Sequence, residues 1–374
     1  MKKYVLLTLP YILWLFVVLF SCGNAWAAKD QEQEKYFRGE VVRVDEFSDE
    51  PGTAAVQQEA EVQITSGQFS GESVVISNTY CPEDPYLDVY LQEGSRIILA
   101  AFVQDGVIQD AGLHDVQRDR GLYYLLGIFL ILLLTIGRLQ GLKTIITLIF
   151  TGLVVVKVIL PLLLAGYEPI PVATLSAIVI IIFTLLVIGG LRAKSVAAIV
   201  GTVSGVTVAG ILALWVGEIS SLTGFSSEEA RMLVFMEHQI NVRGLLFAGI
   251  IIGSLGAVTD VGMSVASAAS EISGADPRIK PYQLIRAGMN VGRDIMGTMS
   301  NTLVLAYAGG AMPLLLLLVG YEMEWMKIIN MDLVATEFVR GIAGSIGLII
   351  SIPVTAIVAG FLMGSRSRRS RWRT

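Results

Sequence analysis

From Gly121 onward the sequence is cut into apolar runs, and no other feature constrains the fold as strongly. Each run approaches the roughly 20 residues that carry a helix across a bilayer. Seven spans are expected: Leu122–Ile136, Leu142–Leu164, Ile170–Gly190, Lys194–Gly217, Gly244–Ala266, Thr298–Gly320 and Gly341–Met363. A chain of 374 residues with 54% hydrophobic and 16% charged residues is too apolar for an ordinary soluble domain, which agrees with that reading.

The loops orient the spans. Lys and Arg concentrate on the cytoplasmic side of membrane proteins. Arg138 and Lys143, Arg192 and Lys194, the loop group Arg278, Lys280, Arg286 and Arg293, and the tail Arg366, Arg368, Arg369, Arg371 and Arg373 all fall on one side. The other side is acidic, with Glu168, then Glu218, Glu228, Glu229 and Glu237, then Glu322, Glu324, Asp332 and Glu337. Its basic residues are Arg231, Arg243, Lys327 and Arg340. A cytoplasmic C-terminus and an extracytoplasmic region before the first span are expected. On the outer side, Ser226-Ser227-Glu228-Glu229 reads as a helix start, with hydroxyls to cap and carboxylates in the first turn. That helix and Trp325 to Val339 are expected to lie at the interface, as surface cover or as a lid.

Residues 1–27 read as a signal peptide or anchor: Lys2 and Lys3, an apolar core from Tyr4 to Phe20, and the small-x-small site Ala25-Trp26-Ala27. Cleavage, retention as an anchor and a lipoprotein-type signal at Leu19-Phe20-Ser21-Cys22 all send the next segment outside. Residues 28–120 read as an extracytoplasmic β-barrel-like domain of the oligonucleotide-binding or SH3-like kind. Short strands are expected around Val41, Val42 and Val44, at Glu61 to Thr65, Ser73 to Ile76, Leu87 to Tyr90, and Arg96 to Val103. Gly67, Gly71, Pro82, Pro85, Gly94 and Gly106 separate them. The region has no basic stripe with interleaved aromatics, and Asp45, Glu46, Asp49 and Glu50 make one edge acidic, so no nucleic acid is expected as a partner. Residues 121–364 form the seven-span bundle and 365–374 a basic cytoplasmic tail. The fold class is thus a polytopic α-helical membrane protein preceded by a signal segment and a small all-β domain.

Within the spans, Gly201, Gly205 and Ala209, and likewise Gly341, Gly344, Ser345 and Gly347, form small-residue faces for close packing. Pro161, Pro313 and Pro353 are expected to kink or unwind their spans. The unusual stretch is Gly253 to Asn301, whose polar residues lie inside or against apolar spans. Gly253, Gly256, Asp260, Ser264, Ser267 and Glu271 recur at steps of three and four, which puts them on one helical stripe. Asp260 falls roughly 9 Å from the inner end of its helix at 1.5 Å per residue, and Asn301 stands at about that height on the next span. Arg293 and Asp294 lie at the boundary, from which an arginine can snorkel toward Asp260. Asn290, Thr298, Ser300 and Asn301 add neutral hydrogen-bonding groups. Asn290, Asp294, Gly297 and Asn301 share a face if the helix starts before Arg293. Burial and a nearby arginine act on a carboxyl's proton affinity in opposite senses, so a mobile arginine can switch a carboxyl's charge. Lys157 stands roughly 14 Å from Asp260 in height and is expected to snorkel outward.

Two motifs carry a family resemblance. Gly253-Ser254-Leu255-Gly256-Ala257-Val258-Thr259-Asp260 with Met263-Ser264, and Gly288-Met289-Asn290-Val291-Gly292-Arg293-Asp294-Ile295-Met296-Gly297-Thr298-Met299-Ser300-Asn301-Thr302-Leu303, resemble the YibE/YibF-like bacterial membrane proteins. The resemblance covers roughly Leu122 to Gly364. It implies a multipass protein of the bacterial cell membrane and no settled activity.

Enzyme signals are absent: no P-loop, no H-E-x-x-H, no paired-cysteine motif and no G-x-S-x-G turn. His114 and His238 are the two histidines, and Glu237-His238 reads as a solvated pair. No enzyme activity, cofactor or metal is expected. Two functional classes remain. One is a permease or exporter for a small polar solute or ion, with Asp260, Asn301, Arg293, Asn290, Asp294, Thr298 and Ser264 as its substrate-binding residues. The other is a scaffold or assembly factor whose extracytoplasmic domain engages a protein partner while the polar residues lock helices together. The lipid bilayer is a partner in both.

Overall fold

A computed structural model describes residues 34–47, 55–81, 89–104, 106–235 and 240–364. The expected signal segment, the basic tail, Asp49, Glu50, Pro82, Pro85, Leu87, Asp88, Glu237 and His238 lie outside those residues. The chain divides into two compact units, the first ending at Leu132 and the second beginning at Leu133.

The first unit holds an antiparallel sheet of five strands: β1 (Glu34–Phe47), β2 (Val56–Ile64), β3 (Ser73–Tyr80), β4 (Arg96–Gln104) and β5 (Val107–Val116). Their order is β3-β2-β1-β4-β5, and the two edge strands β3 and β5 approach each other, so the sheet curls toward a barrel. β2 alternates buried and exposed residues, as a strand with one face on a core must. Ala60, Val62, Ile64, Ile76, Ile97, Leu99 and Leu91 make the interior.

Two strand expectations need correction. The end of the expected Leu87–Tyr90 strand, Val89 and Tyr90, is not extended ladder, and the fifth strand is Val107–Val116 instead. The segment from Val89 to Leu91 is held by side chains. The fully buried Gln58 amide accepts from Leu91 N–H at 2.9 Å and donates to Leu91 C=O at 3.0 Å. Asn78 donates to Val89 C=O at 2.7 Å and to Gln58 Oε1 at 3.1 Å. Backbone groups satisfied in this way need no neighbouring strand. Tyr90 then stacks near Tyr80 and donates to Glu46 at 2.5 Å, and that carboxylate holds the phenol above its ordinary pKa.

The remainder is helical: α1 (Asp119–Val154), a π turn (Val155–Ile159), α2 (Leu160–Leu164), α3 (Pro169–Gly189), α4 (Ala193–Ile219), α5 (Glu228–Met232), α6 (Val242–Ala275), α7 (Pro281–Gly310), α8 (Met312–Gly320), α9 (Trp325–Ile329) and α10 (Asp332–Gly364). Among the described residues five segments are long and apolar enough to cross a membrane, six when α7 and α8 count as one bent span. The expected seven drew a boundary near Arg138 that this count omits. A break does occur there. Arg138 has φ 47° and ψ −123°, outside the helical region, and a Cβ on Gly141 would run into the carbonyl of Leu133. Residues eight apart cannot touch along a straight helix, so the chain folds back at this point.

Prolines act as their chemistry requires at two of three sites. Pro161 has no N–H to give the carbonyl of Lys157, and the turn before it widens, with Leu160 N–H bonding Val155 C=O. Pro313 follows the break between α7 and α8, which meet at 64°. α10 runs unbroken through Pro353. On the loops, Ser227 caps α5 by accepting from Ala230 N–H at 3.2 Å, and the Glu229 carboxyl sits below its usual pKa through its own backbone N–H and the Ser227 hydroxyl. The expected interfacial helix Trp325–Val339 is instead the short α9 followed by the first turns of α10.

α10 is the axis of the second unit, packed against α4, α6 and α7. Its contact with α4 is backbone on backbone. A Cβ on Gly205 would lie 2.5 Å from Gly347 C=O, one on Gly347 would lie 2.5 Å from Gly205 C=O, and one on Gly201 would collide with the Thr355 hydroxyl.

Two outcomes follow from this packing. Gly205→Val or Gly347→Val should lower stability in detergent by about 1–3 kcal/mol, the usual cost of overfilling a packed site, whereas Gly152→Ala, beside open space, should not. Equal melting temperatures for all three would refute the seam. In the first unit, Gln58→Ala strands the Leu91 backbone and should cost about 1–3 kcal/mol, read by denaturant titration of tyrosine fluorescence.

Candidate functional site

The stripe on α6 is real and uncovered. Gly249, Gly253, Gly256, Asp260, Ser264 and Glu271 are exposed, with Ser267 half-buried between them. Val258, Val261, Val265 and Ala269 face the other way, into the core. α7 repeats the arrangement. Leu284, Gly288, Gly292 and Leu303 are buried, and opposite them Asn290, Arg293, Asp294, Gly297, Thr298 and Asn301 are exposed. Gly292 is required by its place, since a Cβ there would collide with Ile352 of α10.

α6 and α7 run antiparallel, and three approaches fix their register. Val265 lies against Gly288, Ser254 and Leu303 both meet Gly344, and the Tyr307 hydroxyl reaches the position of a Gly253 Cβ. Interpolation between the first two puts Asp260 level with Ile295, within roughly 5 Å in height of Arg293, Asp294 and Thr298 and roughly 9 Å from Asn301. All seven expected site residues therefore lie on the unpacked faces of two adjoining helices.

Their bonding departs from one expectation. Arg293 does not reach Asp260; it donates to Asn290 Oδ1 of its own helix at 3.4 Å. Among the described residues Asp260 has no ion pair or hydrogen bond. Thr298 turns its hydroxyl to Ile295 C=O at 2.9 Å, leaving its oxygen lone pairs outward. Ser300 Oγ is buried without a partner. The set offers a carboxylate, a hydroxyl and a guanidinium within about a turn, with an amide above and another below, suited to a hydrated cation or a small hydrogen-bonding solute. Among the described residues no group of three or more His, Cys, Asp and Glu could hold a metal ion.

A second polar cluster was not singled out from the sequence. Glu337 and Arg340, at the i,i+3 spacing that would have flagged them, form an ion pair at 2.7 Å on α10. Arg340 lies 5.9 Å from the centre of the Tyr307 ring. They border a cavity of about 420 Å³ at the break between α7 and α8, with Gly310 and Pro313 on its wall. Tyr307 thus stands between this cavity and Gly253, the upper end of the α6 stripe. A larger cavity of about 600 Å³ beside the π turn is walled by apolar groups such as Val158, Leu162 and Val172 and offers little polar chemistry.

Together, apolar spans around one axis and a polar face on two of them define a helical membrane-embedded bundle. Residues 125–365, well over half of the chain, match the YibE/F-like protein family. The chain belongs to that family. No curated protein and no solved structure matches it.

Arg340→Met should leave the half-buried Glu337 carboxylate without its partner and cost about 1–2 kcal/mol, between an exposed and a buried pair. A thermal shift assay in detergent reads it, and an unchanged midpoint would mean the pair is solvent-screened.

Proposed function

We propose that the chain is a permease or exporter for a small polar solute or ion, with Asp260 at the centre of its binding face. One observation supports this above others. A carboxylate, a guanidinium and a hydroxyl lie within about a turn of one another, with an amide above and another below, on helices otherwise built for hydrocarbon, yet none of them ties α6 to its neighbours by a described bond. Placing a single charge at mid-span costs about 2.5–3.5 kcal/mol on insertion scales. A helix lock would return that cost as bonds between helices, and Asp260 has none.

In this reading the Arg138 break separates two spans, giving seven in all, and the Lys and Arg bias sets the C-terminus in the cytoplasm and the β unit outside a bacterial cell membrane. The signal segment delivers the β unit, whose strand order is that of an oligonucleotide-binding barrel used here without nucleic acid. Solute meets Asp260, Thr298 and Asn301 on the face, Gly256 leaves the stripe open above Asp260, and Gly253 admits the Tyr307 hydroxyl. Tyr307 and the Glu337–Arg340 pair stand at the outer end, where the 64° break loosens the helix. Broken helices of this kind expose backbone dipoles to a substrate.

Purified protein in liposomes should support solute or proton flux. Asp260→Asn should abolish that flux while the melting temperature stays near that of the parent. Undiminished flux in the variant would dismiss the proposal. A lowered melting temperature with no flux in either protein would favour a scaffold acting through its β unit.

A further inference from the structure

The polar faces of α6 and α7 point away from α10, and among the described residues only the Tyr307 hydroxyl, at Gly253, stands against them, so in hydrocarbon they call for a cover. We infer that a second copy of the same chain provides it, and that the binding face is complete only between two copies. The inference rests on the membrane-embedded reading given above.

Symmetry and charge argue for this occupant. Two copies inserted in the same direction are related by a two-fold axis along the membrane normal, so every group keeps its height. When two such helix layers meet face to face, that axis sets α6 of one copy against α7 of the other. The charges exposed on the inner half of α6 are Asp260 and Glu271, both acidic. α7 exposes Arg286 and Arg293 with Asp294. By the register, Glu271 stands within about a turn of the height of Arg286, and Asp260 within a turn of Arg293, Asp294 and Thr298. The symmetric pairing therefore sets Glu271 against Arg286 and Asp260 against the Arg293–Asp294 step, where a base and an acid share the height, and it avoids setting Asp260 against itself. Gly256 and Gly297, with open space where a Cβ would sit, let the layers approach closely. Each Asp260 then faces the Arg293 guanidinium of the opposite copy, and the pathway runs along the joint.

The test uses the full chain with Cys22→Ser and Cys81→Ser, expressed as two differently tagged forms. One carries Gly256→Cys and the other Asn301→Cys, positions that share a height. A disulfide joining the two tags is expected, well above a control pair, Ile211→Cys with Trp215→Cys, on the exposed face of α4. Mixed product no greater than the control overturns the interface. In nanodiscs, mass photometry should count two copies for the parent, one for Glu271→Arg, and two again when Arg286→Glu is added. A single copy of the parent, with Gly256→Cys open to a water-soluble maleimide, would instead mean a water-filled crevice and would also overturn it. Two copies without flux would keep this interface and remove the permease reading; flux through single copies would do the reverse.

Discussion

The contact on which the second unit depends is the place where α4 and α10 touch through bare backbone. Side chains hold most helix pairs 8–10 Å apart. At Gly205 and Gly347 backbone meets backbone, the carbonyl of each lying where the other's Cβ would be, and at Gly201 the Thr355 side chain takes that place. In lipid no hydrophobic drive favours helix association, so dispersion contact at short range must supply it. Close approach here also brings Ser351 and Thr355 into the seam, which larger neighbours would hold apart. α6 joins through Val258 against Gly205, and α7 through Gly288 and Gly292 against Ala356 and Ile352. One axis thereby collects three partners.

That arrangement uses up the apolar side of each helix and leaves the polar side outward. α6 spends Val258, Val261 and Val265 on the core, and its stripe from Gly253 to Glu271 is what remains. The same holds for α7, where Leu284 and Leu303 face inward and Asn290, Asp294 and Asn301 do not. In a soluble protein this would be an ordinary wet surface. On helices bracketed by apolar spans it is an unmet solvation requirement, which is why the face, and not the core, carries the functional argument.

How much of this was legible depends on whether a feature is local. The α6 stripe follows from spacing alone, because three- and four-residue steps fix a face before any neighbour is known. The α4 small-residue face was legible for the same reason, but its partner on α10 was a separate guess, since sequence spacing says nothing about which helices meet. Val107–Val116 escaped notice because Asp110, Gly112 and Asp115 interrupt its pattern; its strand character comes from pairing with β4, a tertiary cause. Val89 and Tyr90 looked like the end of a strand by composition, and the buried amide of Gln58, thirty-three residues from Leu91, removed the need for one there. The Arg293 contact was misjudged because a snorkelling arginine has a nearer acceptor in Asn290, one turn back on its own helix.

The helix break at Ala311 links these threads. Pro313 removes the N–H that would have met the carbonyl of Gly309, and the 64° bend swings α8 away from the line of α7. Had α7 continued straight, the side of α10 bearing Glu337 and Arg340 would have been covered by another apolar turn. Instead a cavity of about 420 Å³ opens beside the ion pair, with Tyr307 at its inner edge. The ring reaches Gly253 because a glycine stands there, and no larger residue would admit the hydroxyl. A missing side chain on α6, a missing N–H on α8 and a pair of charges on α10 together shape the upper end of the polar stripe. Each is a small local departure, and the three coincide around Tyr307.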